Sequence, residues 1–312
     1  MRSIKTYLDI LKRKGFRYSI HEFWKQIQRL HWIRDHHILA MEYEDKVYRL
    51  LHKYKYVLKQ TPQNKAVSEN PFPDKIWVCW LQGFEHAPEL VKRCLESIRK
   101  NSAGREVIEL NEENLSKYIT FPDYINNKYK KGQITMTHFS DILRINLLAE
   151  YGGIWIDATV FLSAPLPDYI FQSPLFCFKN SLLSSGKGKA SSWFIAAEAQ
   201  NKILLETRSL LYEYWRRNNF LKHYFLFHLF FSIASESDEI NKKQWKSIHY
   251  FNNLNPHVLQ FELFDPYNEQ RLNEIYAFSA VHKLNYKVSA ELLARSEGTF
   301  YEKVIMGTIQ QI

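Results

Sequence analysis

The chain has 312 residues, 46% of them hydrophobic and 24% charged, an ordinary globular balance with enough apolar material for a sizeable core. Its net charge of +9 favours a polyanionic partner (nucleic acid, an anionic membrane surface or a phosphorylated substrate) without ranking the three. Three widely spaced cysteines, Cys79, Cys94 and Cys177, argue against a disulfide framework or a zinc site and for a reducing cytoplasm.

Residues 1–60 read as a basic helical segment. "MRSIKTYLDILKRKGFRYSI" lacks the uninterrupted apolar core and small-residue cleavage site of a secretory signal. The stretch that follows, from His21 to Gln60, mixes apolar residues at helical spacing with Lys, Arg and His, without Gly or Pro. It reads as helices packed on the main domain with a solvated face, to which "RDHH" (34–37) belongs. A compatible reading lays the segment on anionic lipid, with Trp and Phe in the headgroup layer. "TPQNKAVSENPFPD" (61–74) is a polar, proline-containing linker.

From residue 75 the pattern changes. "KIWVCW" is a short strand, "LQGFEHAP" a loop, and Pro88 stands near the first turn of a helix through "ELVKRCLESIRK". "EVIEL" is a second strand, and "NEENLSKYI" opens another helix behind an Asn cap. Strand and helix alternating at short intervals predict an α/β domain with a parallel sheet over 75–312.

The next helix, Thr137–Tyr151, carries the first candidate site. At about 100° per residue Asn146 and Glu150 fall on the solvent side, while Asp141 and Arg144 share the opposite face with Ile145 and Leu148. Charges on the less exposed face need partners, either each other in a structural ion pair or a polar ligand in a cleft. Gly152 and Gly153 suit a left-handed helix end and a tight entry to the next strand. "IWI" is that strand; Asp157 stands at its carboxyl end, where open α/β sheets gather ligands, and Thr159 points the same way. Further on, "SSGKGK" (184–189) lacks phosphate-loop spacing and reads as a mobile loop near the acceptor side. "FLKHYFLFHLFFSIA" (220–234) is too short to span a bilayer and holds Lys222, His223 and His228; it reads as a buried helix, with Tyr224 and His228 lining core or cleft.

"SDILRINLLAEYGGIWIDATVFL" resembles the core of the capsular polysaccharide synthesis proteins, a glycosyltransferase group similar to yeast-type initiating mannosyltransferases and the glucosyltransferase domains of large clostridial toxins. The shared pattern is Ser-Asp-x-x-Arg, Gly-Gly, a strand and Asp-x-Asp; the likeness runs from about residue 74 through "VHKLNYKV" and leaves residues 1–60 outside. It implies a GT-A (Rossmann-like) fold and a retaining transfer from a nucleotide-sugar donor to a growing capsular or exopolysaccharide unit, its acceptor polyprenyl-linked. By resemblance Trp80 stacks on the nucleobase, a role for which a core Trp is the rival. Asp141 and Arg144 bind the donor sugar, Gly153 belongs to the substrate-binding region, and Lys283 lies near the diphosphate. Asp157 contacts ribose or a Mn²⁺ or Mg²⁺ ion, with Thr159 and His282 as further metal ligands. Thr159 replaces the second Asp of Asp-x-Asp in "DAT" and is a poorer cation ligand, which weakens the expected metal dependence.

The implied setting is the cytoplasmic face of the plasma membrane, with residues 1–60 as a peripheral contact. A protein of the same fold that binds nucleotide sugar without catalysis is the alternative, with Thr159 in its favour. Nucleic acid is set aside, because the basic residues form no stripe and no recognition motif is present.

Overall fold

The computed structural model describes residues 12–13, 15–16, 18–20, 36–60, 74–180 and 186–307. Most of the first 35 residues and the expected linker up to residue 73 lie outside them.

Chain order begins with α1 (His36–Leu51) and a 3₁₀ helix (His52–Gln60). Then come β1 (Lys75–Cys79), α2 (Glu89–Lys100), β2 (Glu106–Leu110), α3 (Asp123–Lys130), α4 (Met136–Tyr151), β3 (Gly153–Ile156) and β4 (Val160–Leu162). After β5 (Leu175–Lys179) and β6 (Ala190–Ala197) come α5 (Lys202–Arg217), α6 (Leu226–Ser235), α7 (Glu239–Ser247), α8 (Val258–Glu262), α9 (Glu269–Phe278), β7 (Val281–Lys283) and α10 (Ala290–Leu293).

Five strands form one sheet in the order β2-β1-β3-β6-β5, and β4 pairs with β7 in a small second sheet. β1 runs parallel to both β2 and β3, whereas β6 is antiparallel to β3 and to β5. The fold is therefore α/β with a parallel half, as the strand-helix alternation predicts. The chain leaves β1 in one direction to reach β2 and returns to its other side to form β3. That reversal opens a crevice at the carboxyl ends of β1 and β3, the switch point where ligands collect in such sheets.

The central strands are apolar on both faces because helices cover both: Ile76, Trp77, Val78, Ile154, Trp155 and Ile156 are all buried. Gly153, expected in the substrate-binding region, lies at the opposite end of β3 from Asp157. Its φ is +92°, and a Cβ there would stand 2.6 Å from the Lys75 carbonyl oxygen. Its requirement is backbone approach between β1 and β3, not ligand contact.

Three local expectations need correction. The Asn111 side chain does cap the Glu113 and Asn114 amides, but only a single 3₁₀ turn (Leu115–Lys117) follows before Pro122 restarts the chain as α3. Asn146 is not on a solvent face: α5 packs over α4, and Asn146 accepts a 2.6 Å hydrogen bond from the Tyr212 hydroxyl. The aromatic helix starts at Leu226, which leaves Tyr224 and Phe225 exposed just before it.

Residues 36–60 are part of the main core. Val47, Leu51 and Tyr54 are buried in it, and the Tyr54 ring meets Tyr214 and Phe230 edge-on. The loop at 186–189 is tied down as well, since Glu44 accepts from the Lys187 and Gly188 amides and Lys187 pairs with Asp45. A second, smaller core joins α2, β4, α8, α9 and the C-terminal turn through Leu90, Phe161, Leu259, Ile275 and Tyr301. All three cysteines are free thiols, and among the described residues no helix is long and apolar enough to cross a membrane.

Candidate functional site

Thr135 caps α4 by accepting from the His138 amide, and this fixes the phase at which the first turns of the helix enter the crevice. His138, Asp141 and Arg144 then follow at three-residue intervals on one face. His138 Nδ1 lies 3.2 Å from Asp141 Oδ2, and the Arg144 guanidinium lies 3.4 Å from Asp141 Oδ1. Arg144 also reaches Asp157 Oδ1 at 3.2 Å and donates to the Ser192 carbonyl on β6 at 2.6 Å. The guanidinium stands over the Trp155 ring, 5.1 Å from its centroid.

Asp157 is the hub. Trp155, two residues back on β3, donates its indole N–H to Oδ1 at 2.8 Å. Lys283, at the end of β7, places Nζ 3.0 Å from Asp157 Oδ2 and 2.5 Å from Thr159 Oγ1. Burial alone would push both carboxyls up. At Asp157 the charges of Lys283 and Arg144 and the Trp155 N–H outweigh burial and hold the group below the usual carboxylate range. At Asp141, Arg144 and His138 do the same.

These groups open onto a cleft of about 680 Å³ whose lining includes Trp80, Ser140, Asp141, Arg144, Asp157, Thr159 and Lys283. The ion pair and the cleft, alternatives from sequence, are both present: Asp141 and Arg144 are mutually paired and still line the opening. Trp80, half-buried at the end of β1, meets Tyr286 edge-to-face at 5.1 Å. Trp193, Tyr224, Phe225 and His228 complete the apolar wall. Burial lowers the His228 pKa to about 4, so this cleft histidine is neutral at pH 7.

His282 is not among the cleft residues. Side chains alternate along a strand, so with Lys283 in the cleft His282 turns into the second core. It is fully buried between Phe161 and Tyr276, with Nε2 3.0 Å from the Ser163 hydroxyl. Among the described residues no cluster of three His, Cys, Asp or Glu could hold a metal ion. What remains of the expected Mn²⁺ or Mg²⁺ ligand set is Asp157 and Thr159, with an ammonium already between them. The Asp157 carboxylate is already met by Lys283, Arg144 and Trp155, and the Thr159 hydroxyl by Lys283, so an ion would have to displace the ammonium to reach either group; the set as arranged does not fit a resident ion.

A family model described as capsular polysaccharide synthesis protein matches residues 20–304. The chain belongs to that family. The match begins well before residue 74, so residues 20–60 fall inside the family region, in keeping with the packing of 36–60 in the main core. Within this family setting, the chain is 31% identical over 102 residues to O-glycosyltransferase braB of Annulohypoxylon truncatum, a stretch covering 30% of this chain and 24% of that protein. It is 36% identical over 70 residues to Subversion of eukaryotic traffic protein A of Legionella pneumophila subsp. pneumophila, covering 22% of this chain and 10% of that one. The chain thus spans a minor part of the curated relatives it matches. The solved structure of PaToxG Glycosyltransferase aligns over 86% of this chain and 95% of its own, with a TM-score of 0.36 and 13% identity.

Sequence reasoning missed His138, Ser192 and Tyr286. His138 precedes Asp141 by one helical turn and was findable by spacing; Tyr286 lies within "VHKLNYKV", three residues after Lys283, and Ser192 reaches the cleft from a distant strand and carries no local signal.

The buried histidines set the acid response. Burial lowers His228 to about 4 and His282 to about 3, so between pH 6.5 and those values the unfolded chain binds more protons than the folded one. Their contribution to stability is complete above pH 6.5 and is lost as pH falls through that window; the two depressed carboxylates follow at lower pH. His282→Gln is expected to flatten the loss of unfolding free energy between pH 6 and 4 by about 1 kcal/mol per pH unit, measured by urea titration. An unchanged slope would contradict this assignment.

Proposed function

We propose that the protein is a glycosyltransferase that moves a sugar from a nucleoside-diphosphate donor to a hydroxyl of a growing capsular or exopolysaccharide unit, with retention of anomeric configuration. The observation that carries the reading is the convergence of Asp141, Arg144, Asp157 and Lys283 on one open cleft at the switch point of the sheet. Family membership supports it, and one partial relative is named an O-glycosyltransferase.

In this reading Trp80 and Tyr286 flank the nucleobase, and Asp157 accepts from ribose hydroxyls. Asp141 accepts from hydroxyls of the sugar, oriented by Arg144 and His138. The bond from the anomeric carbon to the β-phosphate oxygen breaks while the bond to the acceptor oxygen forms on the same face. The acceptor proton passes to the departing diphosphate. Lys283 stabilises the negative charge that develops there, and Arg144 adds to the field. The chain's own share of the rate is positioning and electrostatics, which needs no protein nucleophile.

Thr159, in place of a second aspartate, favours the second reading, a binding protein without turnover. Release of nucleoside diphosphate from a panel of nucleotide sugars, with and without acceptor, separates the two. Turnover is expected, and Asp141→Asn is expected to lower kcat/KM by about 100-fold or more with little change in melting temperature. Normal turnover in that variant would refute the role of Asp141, and a complete absence of turnover with tight binding would favour the binding protein.

A polyprenyl-linked acceptor would hold the reaction at a membrane surface. Exposed Lys46, Lys53 and Lys59 stand in the same segment as exposed Leu50 and Tyr56, and the chain's net charge is +9. Reversing the three lysines to glutamate is expected to abolish co-sedimentation with anionic vesicles at physiological salt. Retention equal to that of the unaltered protein would count against a surface contact here.

A further inference from the structure

The two motif side chains expected to hold a metal ion are arranged around a lysine instead. Thr159 occupies the second position of an Asp-x-Asp-like motif, and the two motif side chains converge on one atom: Lys283 Nζ lies 3.0 Å from Asp157 Oδ2 and 2.5 Å from Thr159 Oγ1. That ammonium lines the same cleft as the sugar-facing Asp141 and Arg144, and its side chain is only 20% exposed.

We infer that the Lys283 ammonium occupies the position of the divalent cation, so that the donor diphosphate is held without a metal. This rests on the nucleotide-sugar reading of the cleft.

Charge matching links the two departures from the expected pattern. Two carboxylates balance a divalent ion; one carboxylate and a neutral hydroxyl balance a single ammonium. With Thr159 beside Asp157, Lys283 makes the trio neutral, and a second aspartate would leave it one charge negative. Strand pairing keeps Lys283 in register with the motif: β7 pairs with β4 so that Lys283 lies opposite Val160, and the Leu284 amide donates to the Thr159 carbonyl. The ammonium has three N–H donors. Two meet Asp157 and Thr159, and the third is left for a phosphate oxygen. Lys283 acts through its charge and its N–H donors and transfers no proton. The remaining candidate ligand, His282, faces the second core and cannot complete a metal shell without rebuilding β7.

The test is calorimetric binding of UDP and of GDP to the full chain, in excess EDTA and again with millimolar Mn²⁺. Expected is an affinity for the preferred nucleotide that agrees within about twofold between the two conditions. Lys283→Met, which keeps the stem and removes the charge, is expected to lose at least about tenfold in EDTA, while Lys283→Arg keeps most of the affinity. Binding by the unaltered protein only when Mn²⁺ is present would overturn the inference and leave the glycosyltransferase reading standing. So would undiminished binding by a folded Lys283→Met. Failure of every nucleotide to bind under both conditions would overturn the nucleotide-sugar reading itself, and this inference with it.

Discussion

The structure depends on the way one carboxylate is shared. Asp157 receives Arg144 from α4, Lys283 from β7 and the Trp155 indole from its own strand. Each partner comes from a different part of the chain, so the carboxylate fixes the relative placement of the long buried helix, the central sheet and the small second sheet. Buried ions in an apolar interior cost several kcal/mol each unless every one is matched, and here each of the four charges has at least one opposite partner. Removing Asp157 would leave Lys283 without a carboxylate and Arg144 with Asp141 alone, whereas without Asp141 the Arg144 guanidinium keeps Asp157 and the Ser192 carbonyl; the shared carboxylate is what holds the site in place.

The cluster stays open because of where the sheet reverses direction. β1 and β3 are parallel neighbours whose following segments diverge, and the crevice between their carboxyl ends receives the first turns of α4 from one side and β7 from the other. The aromatic surroundings, Trp80, Trp193, Phe225 and Tyr286, give that crevice apolar walls against which the charged floor acts in a low-dielectric setting. Neutral His228 adds bulk to that wall without adding a competing charge at pH 7.

Much of this was legible in the sequence where the signal is local. The i, i+3 spacing of Asp141 and Arg144, the glycine pair and the strand-end Asp157 follow from helix and strand periodicity alone. The placement of Lys283 came from resemblance, and the structure adds its contact with both motif positions. Two errors have one cause, namely that periodicity cannot tell which neighbour covers a face. Asn146 lies opposite the charged pair but is covered by α5, and His282 lies next to a cleft residue yet faces the second core. The motif draws Gly153 into the site, whereas its backbone angle and the nearby Lys75 carbonyl give it a structural role. The extent of the family likeness is a separate case, since the match reaches back to residue 20. Residues 36–60 read from sequence as helices packed on the main domain with a solvated face, and Val47, Leu51 and Tyr54 are the residues that anchor them to its core.

The most direct measurement is a crystal structure of the full chain soaked with UDP-glucose or GDP-mannose. Shared use of Asp157 and Lys283 by the donor requires a diphosphate within hydrogen-bond distance of Lys283 Nζ, the sugar hydroxyls on Asp141 and the base beside Trp80. A nucleotide sugar bound elsewhere, with Asp141, Arg144, Asp157 and Lys283 still satisfied only by one another, would contradict it.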